Sequence, residues 1–170
     1  VLDEDSDNQE MLANRYDYIF FTGGVEIGRT IARAAAEHLT PTTLELGGKS
    51  PCIVDKNVDV EVAARRVAWG KFLNGGQTCI APDYLLLHAS VKEKFYKAFA
   101  KSVKSFYGNN PQDSVDFPRI INDKHFKRLS SMLQDGTIIV GGNTDAESRY
   151  IAPTLIELDT FEHPLMQDEI

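Results

Sequence analysis

Short runs of β-branched and aromatic residues alternate along this chain with longer segments in which apolar residues recur every three or four positions. That alternation constrains the fold more than any other feature. Residues 16–22 (YDYIFFT) predict a strand that stops at Gly23-Gly24. Ile27, Ile31, Ala34 and Ala35 then keep helical spacing on an alanine-rich face. Residues 42–46 and 51–54 predict two short strands split by Gly47-Gly48. Val60, Ala63, Ala64, Val67 and Ala68 predict a helix with Asp59 as its N-cap, which Asn74-Gly75-Gly76 breaks. A strand at 84–87 is followed by a capping box, Ser90-x-x-Glu93, and by a buried stripe of Val91, Phe95, Ala98, Phe99 and Val103. Asn122 opens a further helix carrying Phe126, Leu129 and Leu133, and strands at 137–140 and 150–159 finish the chain. Strands separated by helices of more than about ten residues predict an α/β fold on a largely parallel sheet.

A boundary is expected near Pro41, where an alanine-rich helix gives way to a new strand series. Residues 1–40 are too few for a domain, so they are expected to complete one that lies elsewhere. Both ends look cut: Val1 is not a start methionine, residues 1–10 read as an exposed acidic stretch, and the chain stops on Ile170. Acidic residues outnumber basic ones by 25 to 18, a net charge of −7, which argues against a binder that works by neutralising nucleic-acid phosphates. No apolar run approaches the roughly 20 residues that span a bilayer, so no membrane contact is expected in this segment. Two cysteines cannot build a disulfide framework, and a reducing, cytoplasmic compartment is expected.

Cys79 sits in Asn74-Gly75-Gly76-Gln77-Thr78-Cys79-Ile80-Ala81-Pro82, between a helix and a strand. Free cysteines are commonly small buried hydrophobes, and Cys52, inside the run Pro51-Cys52-Ile53-Val54, is assigned to packing. At Cys79 the upstream glycines change the reading, because they let backbone approach a ligand and let amides point at a developing oxyanion. Glu45 lies between Leu44 and Leu46 at a strand's end, where alternation turns it away from both leucines and where α/β sites gather. It is either a solvated acid, a partner of Lys49, or a partly desolvated general base. Gly23 and Gly28 follow a strand and open a helix, which suits a nucleotide phosphate, although such junctions are common without any ligand. His38, His88, His125 and His163 show no zinc-motif spacing, no metal site is expected, and each is read as surface or structural.

Glu-Leu-Gly-Gly-Lys-Ser-Pro at 45–51 resembles the glutamate signature of the aldehyde dehydrogenase superfamily, and Gly-Gln-Thr-Cys-Ile-Ala-Pro at 76–82 resembles its cysteine signature. Phe21-Thr22-Gly23-Gly24 with Gly28 is similar to the family's cofactor turn, in which serine is commoner at the place of Gly24. Met166-Gln167-Asp168-Glu169-Ile170 resembles the start of a further family motif. The wording around Leu39–Lys49, Thr78–Tyr84 and Arg149–Thr154 is most similar to the class 3 branch, and the resemblance covers residues 11–170.

The resemblance implies a mostly parallel, three-layer α/β sheet of the catalytic-domain type. It makes residues 1–40 the C-terminal piece of a dinucleotide-binding domain and 41–170 most of the catalytic domain, truncated at its end. It implies NAD or NADP as cofactor, a small-molecule aldehyde as substrate and a homodimer at full length. Cys79 is then the nucleophile that forms a thiohemiacetal and a thioester, and Glu45 the base that activates the hydrolytic water. The carbonyl of Leu46 would orient the nicotinamide amide, Gly23 and Gly28 lie beside the cofactor, and Glu169 beside a ribose. The family's side-chain oxyanion donor and first nucleotide-binding strands precede Val1, so the 170 residues are expected to be inactive alone. Three rivals stay open: an acyl-CoA-forming aldehyde dehydrogenase, which Glu45 disfavours; a structural use of the fold, which Cys79 with Glu45 disfavours; and a thiol hydrolase.

Overall fold

The computed structural model describes residues 7–134 and 136–170, so the first six residues of the acidic stretch lie outside the described residues. The chain forms two compact units, Val1–Gly47 and Gly48–Ile170. In the first, α1 (Asp7–Leu12), β1 (Ile19–Thr22), α2 (Val25–Glu37) and β2 (Thr42–Glu45) follow in order. Strands β1 and β2 are parallel, with Ile19 opposite Thr42 and Thr22 opposite Glu45. Because β2 pairs with β1, the first unit continues past the break expected at Pro41.

Pairing begins three residues later than the aromatic run, where the Ile19 amide donates to the Pro41 carbonyl at 3.0 Å. The preceding tyrosines are held by side chains instead: Thr40 Oγ1 donates to the Tyr16 carbonyl at 2.9 Å, and the Tyr18 hydroxyl meets Thr43 Oγ1. Helix α2 buries Gly28, Ile31 and Ala35. Ile27, expected on that face, is 57% exposed, because the buried stripe runs one position further round the helix.

The second unit opens with β3 (Pro51–Val54), α3 (Val60–Phe72) and β4 (Tyr84–Leu87), a strand–helix–strand unit whose strands are parallel. A crossover helix is what permits parallel pairing, and both parallel pairs enclose one. Asp59 caps α3 as its sequence predicts, accepting from the amides of Glu61 and Val62 at 3.0 and 3.2 Å. Helix α4 (Lys92–Tyr107) shares a core with α3, in which Ala64, Ala68 and Phe95 are fully buried. The small alanines let the helices approach, and Phe72 meets Phe99 edge-on at 5.9 Å.

The capping box at Ser90 does not form: the His88 ring accepts from the Ser90 amide at 3.2 Å, and a short turn precedes α4. Asn122 caps α5 (Asp123–Met132), accepting from the His125 amide at 2.9 Å. The remaining strands, β5 (Thr137–Val140), β6 (Thr144–Asp145), β7 (Tyr150–Ile151) and β8 (Leu155–Glu157), pair antiparallel as β5–β8 and β6–β7. No helix lies between β5 and β8, so no crossover is available to make them parallel. Pro153, which lacks an amide proton, separates β7 from β8 within the segment read as one strand. The class is α/β, with parallel pairs at β1–β4 and antiparallel ones after them.

Candidate active site

Helix α3 ends at Phe72 because the chain then enters the left-handed region, with φ of 55° at Asn74, 63° at Gly75 and 82° at Gly76. This reversal delivers residues 77–83 as a loop whose tip, Cys79 and Ile80, is exposed while Ala81 is buried. The side-chain amide of Gln77 pins its start: Nε2 donates to the carbonyls of Asn74 and Arg119 at 3.0 and 3.2 Å, and Oε1 accepts from the Ile121 amide at 2.9 Å. Cys79 is exposed, and Ile80 beside it is 83% exposed. The backbone beneath the thiol is fixed, since Ser50 Oγ donates to the Cys79 carbonyl at 3.1 Å. A Cβ on Gly48 would stand 2.6 Å from that same oxygen. Cys52 is the contrasting thiol, half-buried against the core, where burial pushes its pKa up.

Lys49 is tied beneath this loop. Its ammonium pairs with Asp83, whose side chain is 1% exposed, and donates to the Leu165 carbonyl at 2.5 Å. The other Asp83 oxygen accepts from the Ile170 amide at 2.9 Å, and the Asp83 amide donates to the Ser50 carbonyl at 2.9 Å. Arg128 of α5 donates to the Glu169 carbonyl at 2.9 Å. Lys71 is held below its ordinary pKa, first by burial and then by the charge of Lys49, against the opposing pull of Asp83 and Glu169. It lines a cavity of about 400 Å³ together with Asp83, Leu165 and Ile170.

In the first unit, Glu45 ends β2 exposed while Leu44 and Leu46 are half-buried, which is the alternation expected of the strand. Its own unit therefore does not supply the desolvation expected of a base. Lys49, the partner considered for it, is engaged by Asp83. A Cβ on Gly28 would meet Leu46 Cδ2 at 2.7 Å, so close helix–strand packing accounts for that glycine. Gly23 donates its amide to the Glu45 carbonyl at 3.0 Å. Gly24 is the N-cap of α2 with no side-chain capping bond and nothing within 4 Å of where its Cβ would lie. The first-turn amides of α2 thus keep an open approach, which fits an anionic group such as a dinucleotide phosphate.

The family model for the aldehyde dehydrogenase family matches residues 3–170. The chain belongs to the aldehyde dehydrogenase family. Among curated relatives, the dimeric NADP-preferring aldehyde dehydrogenase of Rattus norvegicus is 51% identical over 162 residues, covering 95% of this chain and 36% of the relative. Aldehyde dehydrogenase family 3 member A2 of Macaca fascicularis is 50% identical, covering 95% of this chain and 33% of the relative. Among solved structures, the substrate-bound state of Staphylococcus aureus AldH superposes with a TM-score of 0.91 at 45% identity, over 96% of this chain and 36% of that one. The chain spans about a third of the length of the relatives it matches.

For this aldehyde dehydrogenase chain, the structure places Cys79 and Glu169 in the second unit and Gly23, Gly28, Glu45 and Leu46 in the first. Among the described residues, no cluster of three or more His, Cys, Asp or Glu could hold a metal ion, and no helix is long and apolar enough to cross a membrane. The histidines act structurally where their partners are seen, with His88 and His163 capping short turns. Sequence reasoning passed over Gln77, Asp83 and Arg128, although they fix the Cys79 loop and the backbone at Glu169. The bonds to Arg119, Glu169 and Ile170 span 41 to 87 positions, and no local pattern announces them.

Proposed function

We propose that this chain carries the nucleophile and the water-activating base of a dehydrogenase that oxidises a small-molecule aldehyde to a carboxylic acid with NAD or NADP. The observation that supports it most is the Cys79 loop: an exposed thiol above a carbonyl held by Ser50 and crowded by Gly48. A thiol so presented is accessible while its backbone stays in place, as a nucleophile requires.

Cys79 loses its proton and its sulfur bonds to the aldehyde carbon, giving a thiohemiacetal whose oxyanion is met by the Cys79 backbone amide. A bound nicotinamide dinucleotide supplies the hydride acceptor. Gly23, Gly28, the Leu46 carbonyl and Glu169 are the residues of this chain assigned to hold it. The resulting thioester on Cys79 is hydrolysed by water whose proton Glu45 accepts, releasing the acid and the free thiol. A cysteine suits both halves, being nucleophilic enough to add to a carbonyl and a good leaving group from an acyl carbon.

Residues 1–40 are read as the end of the dinucleotide-binding domain and 41–170 as catalytic domain. We read the parent as a homodimer, in line with a relative named dimeric, and as cytoplasmic, in line with two free thiols. The 170 residues alone are proposed to be inactive, since the relatives they match are about three times longer.

The test is Cys79→Ala in a protein of the relatives' full length. Aldehyde oxidation is expected to vanish while NAD(P) affinity stays within about twofold. Turnover above a few per cent of wild type overturns the assignment of Cys79.

A further inference from the structure

We propose that Asp83 is a positioning residue for the cofactor, joining the nucleophile loop to Glu169 through one buried carboxylate. The inference rests on the reading of Glu169 as a cofactor ligand.

Both oxygens of Asp83 are committed, Oδ1 to the Lys49 ammonium and Oδ2 to the Ile170 amide at 2.9 Å. The side chain is 1% exposed and that of Lys49 21%, so the carboxylate itself is shielded from water. The two bonds lead to opposite ends of one short segment. Lys49 holds the Leu165 carbonyl and Asp83 holds the Ile170 amide, so residues 165–170 are gripped at both ends. Arg128 holds the Glu169 carbonyl, which belongs to the same peptide unit as the Ile170 amide. The peptide plane that follows the Glu169 Cα is therefore held at both its oxygen and its nitrogen, and the Glu169 carboxylate has a restricted set of positions.

The same carboxylate belongs to the nucleophile's own support. Asp83 follows Cys79 by four residues, and its amide donates to the Ser50 carbonyl while the Ser50 hydroxyl holds the Cys79 carbonyl. A buried ion pair is weak evidence for stability, since a hydrophobic pair often serves as well, and this pair is assigned to placement. Loss of the carboxylate frees the Ile170 amide and leaves Glu169 anchored by Arg128 alone. Weaker cofactor binding follows without any Asp83–cofactor contact.

The experiment is a double-mutant cycle on NAD(P) dissociation constants, measured by titration calorimetry on full-length protein without aldehyde, with circular dichroism and melting to verify folding. Glu169→Gln is expected to weaken binding about tenfold, since it removes a charged hydrogen-bond acceptor. Asp83→Asn is expected to weaken it about as much, and the double variant to be no weaker than Glu169→Gln. Ile170→Pro, which deletes the donated amide and leaves the Lys49–Asp83 charges paired, is expected to reproduce the loss should Asp83→Asn not fold. If Glu169→Gln weakens binding while the other variants do not, or if the losses add, Asp83 does not act through Glu169 and the proposal fails alone. If Glu169→Gln binds like wild type, the reading of Glu169 falls and takes the proposal with it.

Discussion

Gly48 lies so close to Cys79 that a Cβ added to it would stand 2.6 Å from the Cys79 carbonyl oxygen. The obstacle is backbone, which cannot rotate away as a side-chain end can. Gly48→Ala is therefore expected to lift the loop and misplace the thiol. A displacement on the order of 1 Å costs roughly 10²-fold in turnover. Steady-state kinetics of the full-length variant check this, and activity within twofold of wild type would show that the loop tolerates the shift.

The two thiols should differ in reactivity. Cys79 is exposed, whereas Cys52 is half-buried and has its pKa raised by burial, which leaves less thiolate at neutral pH. Iodoacetamide at pH 7.5 is expected to modify Cys79 at least about tenfold faster, as read by peptide mass spectrometry. Equal rates would mean that burial does not protect Cys52.

Glu45→Gln separates the two halves of the proposed chemistry. The amide keeps the shape of the acid but cannot accept the water's proton, so deacylation slows and an acyl adduct accumulates on Cys79. Intact-protein mass spectrometry after mixing with aldehyde and cofactor is expected to show that added mass. Undiminished turnover without an adduct removes Glu45 as base, and turnover that then depends on coenzyme A identifies a thiol acceptor in place of water.

Glu157 and Tyr96 should give opposite pH responses. Burial first, then the charge and hydrogen bond of Glu157, push the Tyr96 hydroxyl up to about 12. A raised folded pKa contributes stability fully below the ordinary value of 10.0, and this is lost as pH rises through about 12. Glu157 is held low, chiefly by the hydrogen bond from Lys92. Its contribution is present above the ordinary 4.5 and is lost as pH falls through the lowered folded value. Tyr107 and Tyr150 are also raised by burial, so tyrosinate absorbance should show several residues titrating late, and Glu157→Gln should bring the Tyr96 part of that titration to lower pH.

Local chemistry was legible in the sequence and distant chemistry was not. Asp59 and Asn122 cap their helices as read, because a cap needs only the next three residues. The Ser90 box failed on an equally local competitor, since His88 lies two residues before it and reaches the same amide. The Cys79 loop could be anticipated from its glycines, but the bonds that hold it come from Ser50, Arg119 and Ile121. Burial of Asp83 against Lys49 is likewise a product of tertiary packing, and a Pro-Asp-Tyr sequence gives no sign of it.

The bond from Lys49 to the Leu165 carbonyl spans 116 residues. Closing so long a loop costs little more than closing a short one, because the entropic penalty grows only with the logarithm of length. The consequence falls on timing. During vectorial synthesis at about 5–20 residues per second, Lys49 emerges roughly ten seconds before its acceptor exists. Helices α3 and α4 can dock in that interval from sequence already made, while the ammonium stays in water. The nucleophile loop is thus among the last parts of the second unit to acquire its final support, so a nascent chain has a core before it has a finished site.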